Sequence, residues 1–398
     1  MRLERLVLLG VIAGSVAACG QWRATAPTVQ GSSRVAAKAV PGELVVKFKD
    51  VSARQALMQK LGLKMVERVA GLDAMLVKAT DPGAALKALQ ADSTVLYAEP
   101  NYRARKFDTR AVMPRLGFEA GDELLSRLWG MKVIKAEQAW SVTKGNPKVM
   151  VAVVDTGVDY NHPDFGGRVV KGRDFAYNDN DPMDDDSHGT HCAGSAAAGI
   201  SNGGVVGVAP EVGIFAVKVL DKDGGGTYVM VANGIVNAAN SGAPVISMSL
   251  GGSASSKVLE DAVKYAQGKG ALIVAAMGND ASEEPSYPAA IPGVMAVGAT
   301  NFRERQASFS NFGKHISVSA PGDDILSTTP GGKYESFSGT SMATPHVAGL
   351  AGLVKSRFPQ LTADQLRARI ESTSDDLGNR GFDIRFGHGR INAFKAVN

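Results

Sequence analysis

The sequence has little cysteine, few aromatic residues and few long apolar runs. Its 398 residues include two cysteines, Cys19 and Cys192, and 6% aromatic residues. No internal disulfide is possible if Cys19 is lipidated or removed, which excludes a small scaffold held together by disulfides. The fold must then be stabilised by the size of its core or by metal ions. The 44% of hydrophobic and 21% of charged residues are typical of a globular protein with a large core.

The longest apolar run stands at the N-terminus. Residues 1–19, MRLERLVLLGVIAGSVAAC, combine two arginines, an apolar stretch and small residues before Cys19. This pattern is typical of a secretory signal and is too short for a membrane-spanning helix. VAAC resembles the lipobox of bacterial lipoproteins, whose cysteine becomes the lipidated first residue; the alternative is ordinary signal cleavage. We therefore expect a bacterial protein that is secreted or held at the cell surface or outer membrane by lipid on Cys19, with no other membrane contact.

Charge is distributed unevenly along the chain. Residues 1–107 carry 16 Lys and Arg against 8 Asp and Glu, a net charge of +8, whereas the remainder carries −4. The basic residues of the front part are scattered among apolar ones, so we expect no nucleic-acid partner. The simpler interpretation of the uneven charge is that the basic front part and the acidic body attract each other.

The first half of the chain contains a small α+β domain between two linkers. After a polar linker at 20–41, residues 42–103 read strand, helix, strand, strand, helix, strand, from GELVVKF to VLYAEPNY. This order is ferredoxin-like. Residues 104–121 are charged and show no periodicity, which is typical of a linker exposed to proteolysis.

The remaining residues, 122–398, predict a larger α/β domain. Short apolar runs predict strands, and helical patterns such as TYVMVANGIVNAANS and KVLEDAVKYAQGKG lie between them. Buried strands that alternate with helices indicate a doubly wound, mainly parallel sheet. The strand candidates are KVMVAVVD, IFAVKVL, PVISMSL, ALIVAAMG, VMAVGA and ISVSAPG. In such sheets the chemistry lies at the carboxyl ends of the strands.

Four polar residues at strand ends and helix starts match the needs of acyl transfer. Asp155 ends a strand, His188 begins a helix, Asn279 follows a strand, and Ser341 lies in SFSGTSMATPHVAG at a predicted helix start, with Pro345 in its first turn. Each residue alone is commonly a cap or turn residue. Together they supply a nucleophile, its base, the acid that orients the base, and an oxyanion donor.

These motifs resemble the subtilisin-like serine proteases, the subtilases. The matching stretches are VVDTGVD at 153–159, HGTHCAG at 188–194, MGN at 277–279 and GTSMATPHVAG at 339–349. The resemblance covers residues 122–398 and is nearest to thermitase-like and proteinase K-like members. It implies that Asp155, His188 and Ser341 form the catalytic triad and that Asn279 lines the oxyanion hole. It also implies that residues 42–103 are an inhibitory propeptide.

The resemblance also implies where a peptide substrate binds. SLGG at 249–252 and GGGTY at 224–228 resemble the two strands that pair with an extended substrate, and backbone pairing demands little of the substrate's sequence. We therefore expect broad specificity with a preference for apolar or aromatic residues, and a monomeric enzyme. The expected substrate-binding residues are Ser249, Leu250, Gly251, Gly225, Tyr228, Ala276 and Gly278.

Structural Ca²⁺ is a further expectation, because clustered carboxylates and loop carbonyls suit this ion. Asp164 matches a carboxylate of the family's strong calcium site, Asn202 lies in its carbonyl-bearing loop, and Asp122 is a looser match for a third ligand. Asp174, Asp179, Asp181 and Asp184 resemble a second site found in thermitase-like members. The alternative for this second group is a solvated acidic loop. No organic cofactor is expected.

The sequence leaves two other functions to be tested. One is a non-catalytic surface lipoprotein that uses the fold as a binding module; the presence of all four catalytic residues argues against it. The other is a metallohydrolase that uses the loop DNDPMDDDSHGTH, which contains His188 and His191. The zinc-protease pattern H-E-x-x-H is missing there, and Met183 breaks an EF-hand reading from Asp179. We therefore favour an exported serine endopeptidase made as a zymogen.

Overall fold

The N-terminal part of the chain folds as predicted, into an antiparallel sheet with two helices. The structure is a computed structural model that describes residues 38–107, 109–110, 123–201 and 203–398. The strands pair in the order β4-β1-β3-β2, which is ferredoxin-like. The elements are β1 (Ala39–Phe48), α1 (Arg54–Lys60), β2 (Lys64–Val69), β3 (Ala74–Lys78), α2 (Pro82–Ala91) and β4 (Val95–Lys106). Strand β1 thus begins before residue 42, and β4 continues beyond residue 103 into the predicted linker.

Both faces of this small sheet are buried. Leu44 and Val46 on β1 pack with α1 and α2, whereas Val45 and Leu76 belong to an apolar cluster of the larger domain. Successive side chains of a strand point to opposite faces of the sheet, so β1 contributes side chains to both apolar cores. Residues 34–398 form one compact unit. The ion pair between Lys47 and Asp261, 2.8 Å long, adds the expected attraction between the basic and acidic parts.

The larger domain is built on the predicted doubly wound sheet of parallel strands. All six predicted strands are present, and the strand order is β14-β13-β12-β10-β6-β8-β7. These strands are β6 (Met150–Asp155), β7 (Val169–Asp174), β8 (Gly213–Lys218), β10 (Val245–Met248), β12 (Leu272–Ala276), β13 (Met295–Thr300) and β14 (Ile316–Pro321). The shorter strands are β5 (Thr109–Arg110), β9 (Gly225–Thr227), β11 (Leu250–Gly251), β15 (Ile325–Thr329) and β16 (Lys333–Ser338).

Helices cover both faces of the parallel sheet. Val151 and Val153 of β6 pack in the core with α6 and α9, whereas Ala152 and Val154 pack with α7 and α8 on the other face. A short 3₁₀ helix, Pro163–Phe165, follows β6. The α-helices are α3 (Glu123–Arg127), α4 (Trp129–Val133), α5 (Ala136–Trp140), α6 (His188–Ala197), α7 (Tyr228–Asn240), α8 (Lys257–Gly268), α9 (Thr340–Arg357), α10 (Ala363–Thr373) and α11 (Ala393–Val397).

The position of β6 in this sheet defines the site. The chain leaves β6 toward β8 on one side and later enters β10 on the other side, so the winding direction reverses at β6. A crevice opens at the carboxyl end of a strand where this reversal occurs. Asp155 is the last residue of β6. Within the described residues, no helix is sufficiently long and apolar to cross a membrane.

Candidate active site

Asp155 and His188 meet at the carboxyl end of β6. His188 is the first residue of α6, and its Nδ1 lies 2.7 Å from Oδ1 of Asp155. Both side chains are buried, with exposures of 0% and 1%. The same carboxylate oxygen accepts a 2.7 Å hydrogen bond from the backbone N–H of Thr156. A proton held on Nδ1 by a carboxylate leaves Nε2 as the basic nitrogen of the imidazole.

Asp184 accepts several hydrogen bonds around the start of α6. Oδ1 of Asp184 accepts hydrogen bonds from Thr156 Oγ1 and from the N–H groups of Asp186 and Ser187, and Oδ2 accepts two from Thr190. Burial raises the pKa of this carboxyl, although each hydrogen bond favours its ionised form. Five donors saturate both oxygens, so the geometry argues against the expected calcium-ligand role of Asp184.

Ser341 lies in the first turn of α9. Its Oγ donates a 2.9 Å hydrogen bond to the carbonyl of Ser249. Oδ1 of Asn279 accepts from the N–H and the hydroxyl of Thr340, both at 2.9 Å, and this fixes the amide. Its Nδ2 donates to the carbonyl oxygen of Phe107 at 2.9 Å. The predicted oxyanion donor therefore holds the carbonyl of Phe107, and the Phe107 N–H and the Ser341 hydroxyl both reach the carbonyl of Ser249.

Pro345 lies in the second turn of α9, not in the first turn as predicted, because the helix begins at Thr340. A proline there cannot bond to the carbonyl four residues earlier, which belongs to Ser341. That carbonyl instead accepts the hydroxyl of Ser249 at 2.8 Å and the thiol of Cys192 at 3.5 Å. The proline thus leaves the carbonyl of Ser341 free to connect α9 to Ser249 and to α6.

The end of β4 lies between the two predicted substrate strands. Arg103 to Arg105 pair antiparallel with β9, and Arg105 and Lys106 pair antiparallel with β11. The N–H of Phe107 reaches the carbonyl of Ser249 at 3.4 Å. Residues predicted to be an exposed linker therefore form a third strand in the cleft. The geometry is that of an extended peptide bound by backbone hydrogen bonds on both sides.

The remaining predicted substrate residues surround this strand. A Cβ placed on Gly251 would lie 2.9 Å from the Phe107 ring, so the ring occupies the space that this glycine leaves open. Tyr228 is buried in one cluster with Ala104 and Leu250, and burial raises the pKa of its hydroxyl. Ala276 ends β12, and Gly278 adopts a φ of +103°, which favours glycine.

The predicted calcium ligands are only partly brought together. Asp164 is buried, which raises its pKa, and its oxygens accept from the N–H of Val205 and the hydroxyl of Tyr334. Asn202 and Asp122, expected beside it, lie outside the described residues. Asp164 therefore stays a predicted ligand, and a calcium ion, which takes six or more oxygen ligands, would need others beside it.

The second acidic group does not form a shared site. Asp174 accepts from the N–H groups of two following residues, Asp179 accepts from the N–H of Asp181, and Asp181 accepts from the hydroxyl of Tyr160. Across the described residues, the cluster with metal-binding spacing is Asp155, His188 and Cys192. That cluster contains two triad residues. The solvated-loop alternative fits Asp181, whose side chain is 59% exposed.

Comparisons with known proteins identify the family of the chain. The profile of the subtilase family matches residues 146–389, and that of the fervidolysin N-terminal prodomain matches residues 26–101. A thermophilic serine proteinase of Bacillus sp. (strain AK1) is 43% identical over 90% of this chain and 88% of the relative. Thermitase from Thermoactinomyces vulgaris is 48% identical over 68% of this chain and 96% of the relative.

A solved structure is similar over most of the chain. Fervidolysin from Fervidobacterium pennivorans, described as a keratinolytic enzyme related to subtilisin, matches with a TM-score of 0.81 and 30% identity. The match covers 92% of this chain but 62% of fervidolysin, so this chain spans less than two thirds of that protein. The chain belongs to the subtilase family of serine proteases and carries an N-terminal prodomain of the fervidolysin type.

Proposed function

We propose that the protein is an exported endopeptidase zymogen whose cleft holds its own processing site. The observation that carries this proposal is the 2.9 Å hydrogen bond from Asn279 Nδ2 to the carbonyl oxygen of Phe107. A carbonyl in this position is polarised by the amide, and the N–H of Phe107 and the hydroxyl of Ser341 both reach the carbonyl of Ser249. The scissile bond is therefore the one that joins Phe107 to Asp108, within the interval 104–121 expected from the sequence.

The reaction follows from the roles of these side chains. His188 takes the hydroxyl proton of Ser341 as its oxygen attacks the carbonyl carbon, and Asp155 stabilises the imidazolium that forms. The amide of Asn279 and the backbone N–H of Ser341 stabilise the negative oxygen. His188 then gives the proton to the leaving amine, and water hydrolyses the acyl-enzyme. Other substrates bind in the same antiparallel position between β9 and β11 once residues 103–107 leave.

The preference for apolar or aromatic residues is supported by Phe107. Its side chain is 7% exposed in the bound strand. Burying a phenylalanine stabilises a complex by about 1.5–3 kcal/mol, which is sufficient to favour large apolar residues before the scissile bond. We therefore propose an endopeptidase of broad specificity that selects such residues mainly through this pocket.

The prodomain also stabilises helices of the catalytic domain. Glu99 accepts hydrogen bonds from the hydroxyl of Ser256 and from the N–H groups of Lys257 and Val258, at the start of α8. The carboxylate satisfies free N–H groups and complements the helix dipole. Asn101 likewise accepts from the N–H of Val229 at the start of α7. These contacts support a role of the prodomain in folding as well as in inhibition.

Calcium and export remain part of the proposal. Asp164 would supply a carboxylate to a structural Ca²⁺, which would stabilise the loop around it and take no part in the reaction.

The signal and Cys19 lie outside the described residues, so the proposals of secretion and lipid anchoring rest on the sequence. We propose an exported monomer with protein substrates and no nucleic-acid partner.

The proposed function is tested by the intact masses of the wild type, Ser341→Ala and the control Ser372→Ala, an exposed serine on α10. We expect the wild type and the control to yield a mature chain beginning at Asp108 and to digest casein. Ser341→Ala should stay full length and inert. If Ser341→Ala is trimmed at the same bond and digests casein, the serine mechanism is wrong. If no variant digests casein, a binding module becomes the better interpretation.

A further inference from the structure

Lys106, the residue before Phe107, is a charged residue whose side chain is largely buried. Lys106 lies in the cleft with its side chain 13% exposed, and its Nζ is 2.6 and 2.7 Å from the two carboxylate oxygens of Asp186. By contrast, its neighbour Arg105 is 49% exposed and 3.9 Å from Asp280. The Lys106 ammonium therefore donates hydrogen bonds to both carboxylate oxygens of Asp186 inside the cleft.

Asp186 belongs to the catalytic domain and remains when the prodomain leaves. Its side chain is 4% exposed, and its Oδ1 also accepts a 3.1 Å hydrogen bond from the N–H of His188. The carboxylate is thus fixed two residues before the catalytic histidine. A fixed and buried charge interacts more strongly with an opposite charge than an exposed and mobile one does.

The wall of this subsite fits a straight aliphatic chain. A Cβ on Gly224 would lie 2.5–2.8 Å from Cε, Cδ and Cγ of Lys106, so the lysine stem lies directly against this glycine. Gly224 has a φ of +72°, a conformation that other residues rarely adopt. Its carbonyl also accepts the backbone N–H of Lys106 at 3.1 Å. The subsite therefore combines a narrow apolar wall with a terminal negative charge.

We propose that Asp186 determines specificity by selecting lysine immediately before the residue whose carbonyl is attacked. The substrate class would be extended segments with a Lys–Phe-like pair at the cut. This inference rests on the proposed function, because it assigns a preference to the same cleft. The chain's own Lys106–Phe107 pair would be a good substrate sequence rather than only an inhibitor.

The test uses purified mature enzyme and three p-nitroanilide peptides, Ala-Ala-Lys-Phe, Ala-Ala-Met-Phe and Ala-Ala-Glu-Phe. Methionine matches lysine in length but carries no charge. We expect kcat/KM for the lysine peptide to exceed that for the methionine peptide about tenfold, equivalent to about 1.4 kcal/mol. The glutamate peptide should be the poorest, because two carboxylates then face each other.

Variants assign the preference to one carboxylate. In Asp186→Asn the lysine-to-methionine ratio should fall to about one. In Asp223→Asn, which removes one negative charge from an exposed residue paired with Lys222, the ratio should stay at the wild-type value. In the zymogen, Lys106→Glu should slow self-processing at least tenfold. This measurement tests the same subsite without any change at Asp186.

The outcomes separate this inference from the proposed function. A wild-type ratio near one, with both peptides cleaved, overturns the inference while the protease stands. A tenfold ratio that persists in folded Asp186→Asn overturns the role of Asp186. Failure of the wild type to cleave any of the three peptides or casein overturns the proposed function, and the inference with it. A tenfold ratio lost in Asp186→Asn alone supports both.

Discussion

Replacing His346 is expected to make the protein more resistant to acid. His346 lies on α9, five residues after the nucleophile Ser341, and it is fully buried. Its Nδ1 donates to the carbonyl of Met342 at 2.8 Å, and its Nε2 lies close to Gly130, in a small cavity whose charged lining residue is Arg127. Burial lowers the pKa of His346 from 6.5 to about 4.

The sign and the size of the effect follow from this pKa. Between pH 6.5 and about 4 the unfolded chain binds a proton at His346 and the folded protein does not, so acid favours unfolding. Each pH unit in this interval costs up to about 1.4 kcal/mol of unfolding free energy. The loss attributable to His346 is therefore about 2 kcal/mol at pH 5 and about 3 kcal/mol at pH 4.

The assay is urea unfolding of the inactive Ser341→Ala protein at pH 8 and pH 5, with and without His346→Gln. Glutamine keeps a donor for the Met342 carbonyl and cannot gain a charge. The unfolding free energy should fall with pH by about 2 kcal/mol less in His346→Gln than in its parent. His388→Gln, which removes a histidine with a 45% exposed side chain, should retain the parental decline. An equal decline in parent and His346→Gln would refute the reasoning.

The remaining predictions concern the site and its supports. Gly189→Ala should leave the protein as an unprocessed zymogen by intact mass, because the new Cβ would clash with the carbonyl oxygen of Gly157 and displace α6. Glu99→Gln should shorten the lag before full casein activity, because a charged acceptor at the start of α8 is worth about 1.5–3 kcal/mol; an unchanged lag would contradict this. A mercurial should inactivate the mature enzyme but not its Cys192→Ala variant, because the thiol lies within 4.8 Å of His188 and Asp155 ligand atoms. Chelation with EDTA should lower the melting temperature of the inactive zymogen by several degrees, and an identical melting curve would argue against structural calcium.

The fold was largely predictable because its strands are buried on both faces. Fully apolar runs such as ALIVAAMG have no other stable place in a soluble protein than the middle of a covered sheet. Strand β7 was missed because it lies at the sheet edge, where VVKGRD is partly exposed and carries charges. The hairpin of β15 and β16 was missed for a related reason, since β16 includes exposed polar residues.

The chemical residues were predictable, but their partners were not. Asp155, His188, Asn279 and Ser341 stand at strand ends and helix starts, which the sequence pattern can locate. Nothing in DDDSHGTH tells which carboxylate holds the helix start and which faces the cleft, because that depends on side-chain direction. The structure shows that Asp184 accepts five hydrogen bonds around the start of α6, whereas Asp186 faces the cleft.

The processing segment escaped prediction because its order comes from tertiary contacts. Residues 104–107 have no periodicity of their own, and their strand conformation depends on β9 and β11 on either side. Tertiary pairing of this kind overrides local sequence preference. The signal that could have been used is the Lys–Phe pair at the end of a basic stretch, close to the acidic catalytic domain.

Strand β4 belongs at once to the prodomain sheet and to the cleft, and this fixes how inhibition depends on concentration. While the chain is intact, the blocking segment is tethered, so dilution of the protein does not weaken the block. The proposed cleavage after Phe107 would turn the same contacts into an encounter between two molecules, and the block would then weaken as the protein is diluted. An enzyme released into a large volume would become active soon after the cut. The same enzyme crowded on a surface would stay blocked until its prodomain is degraded.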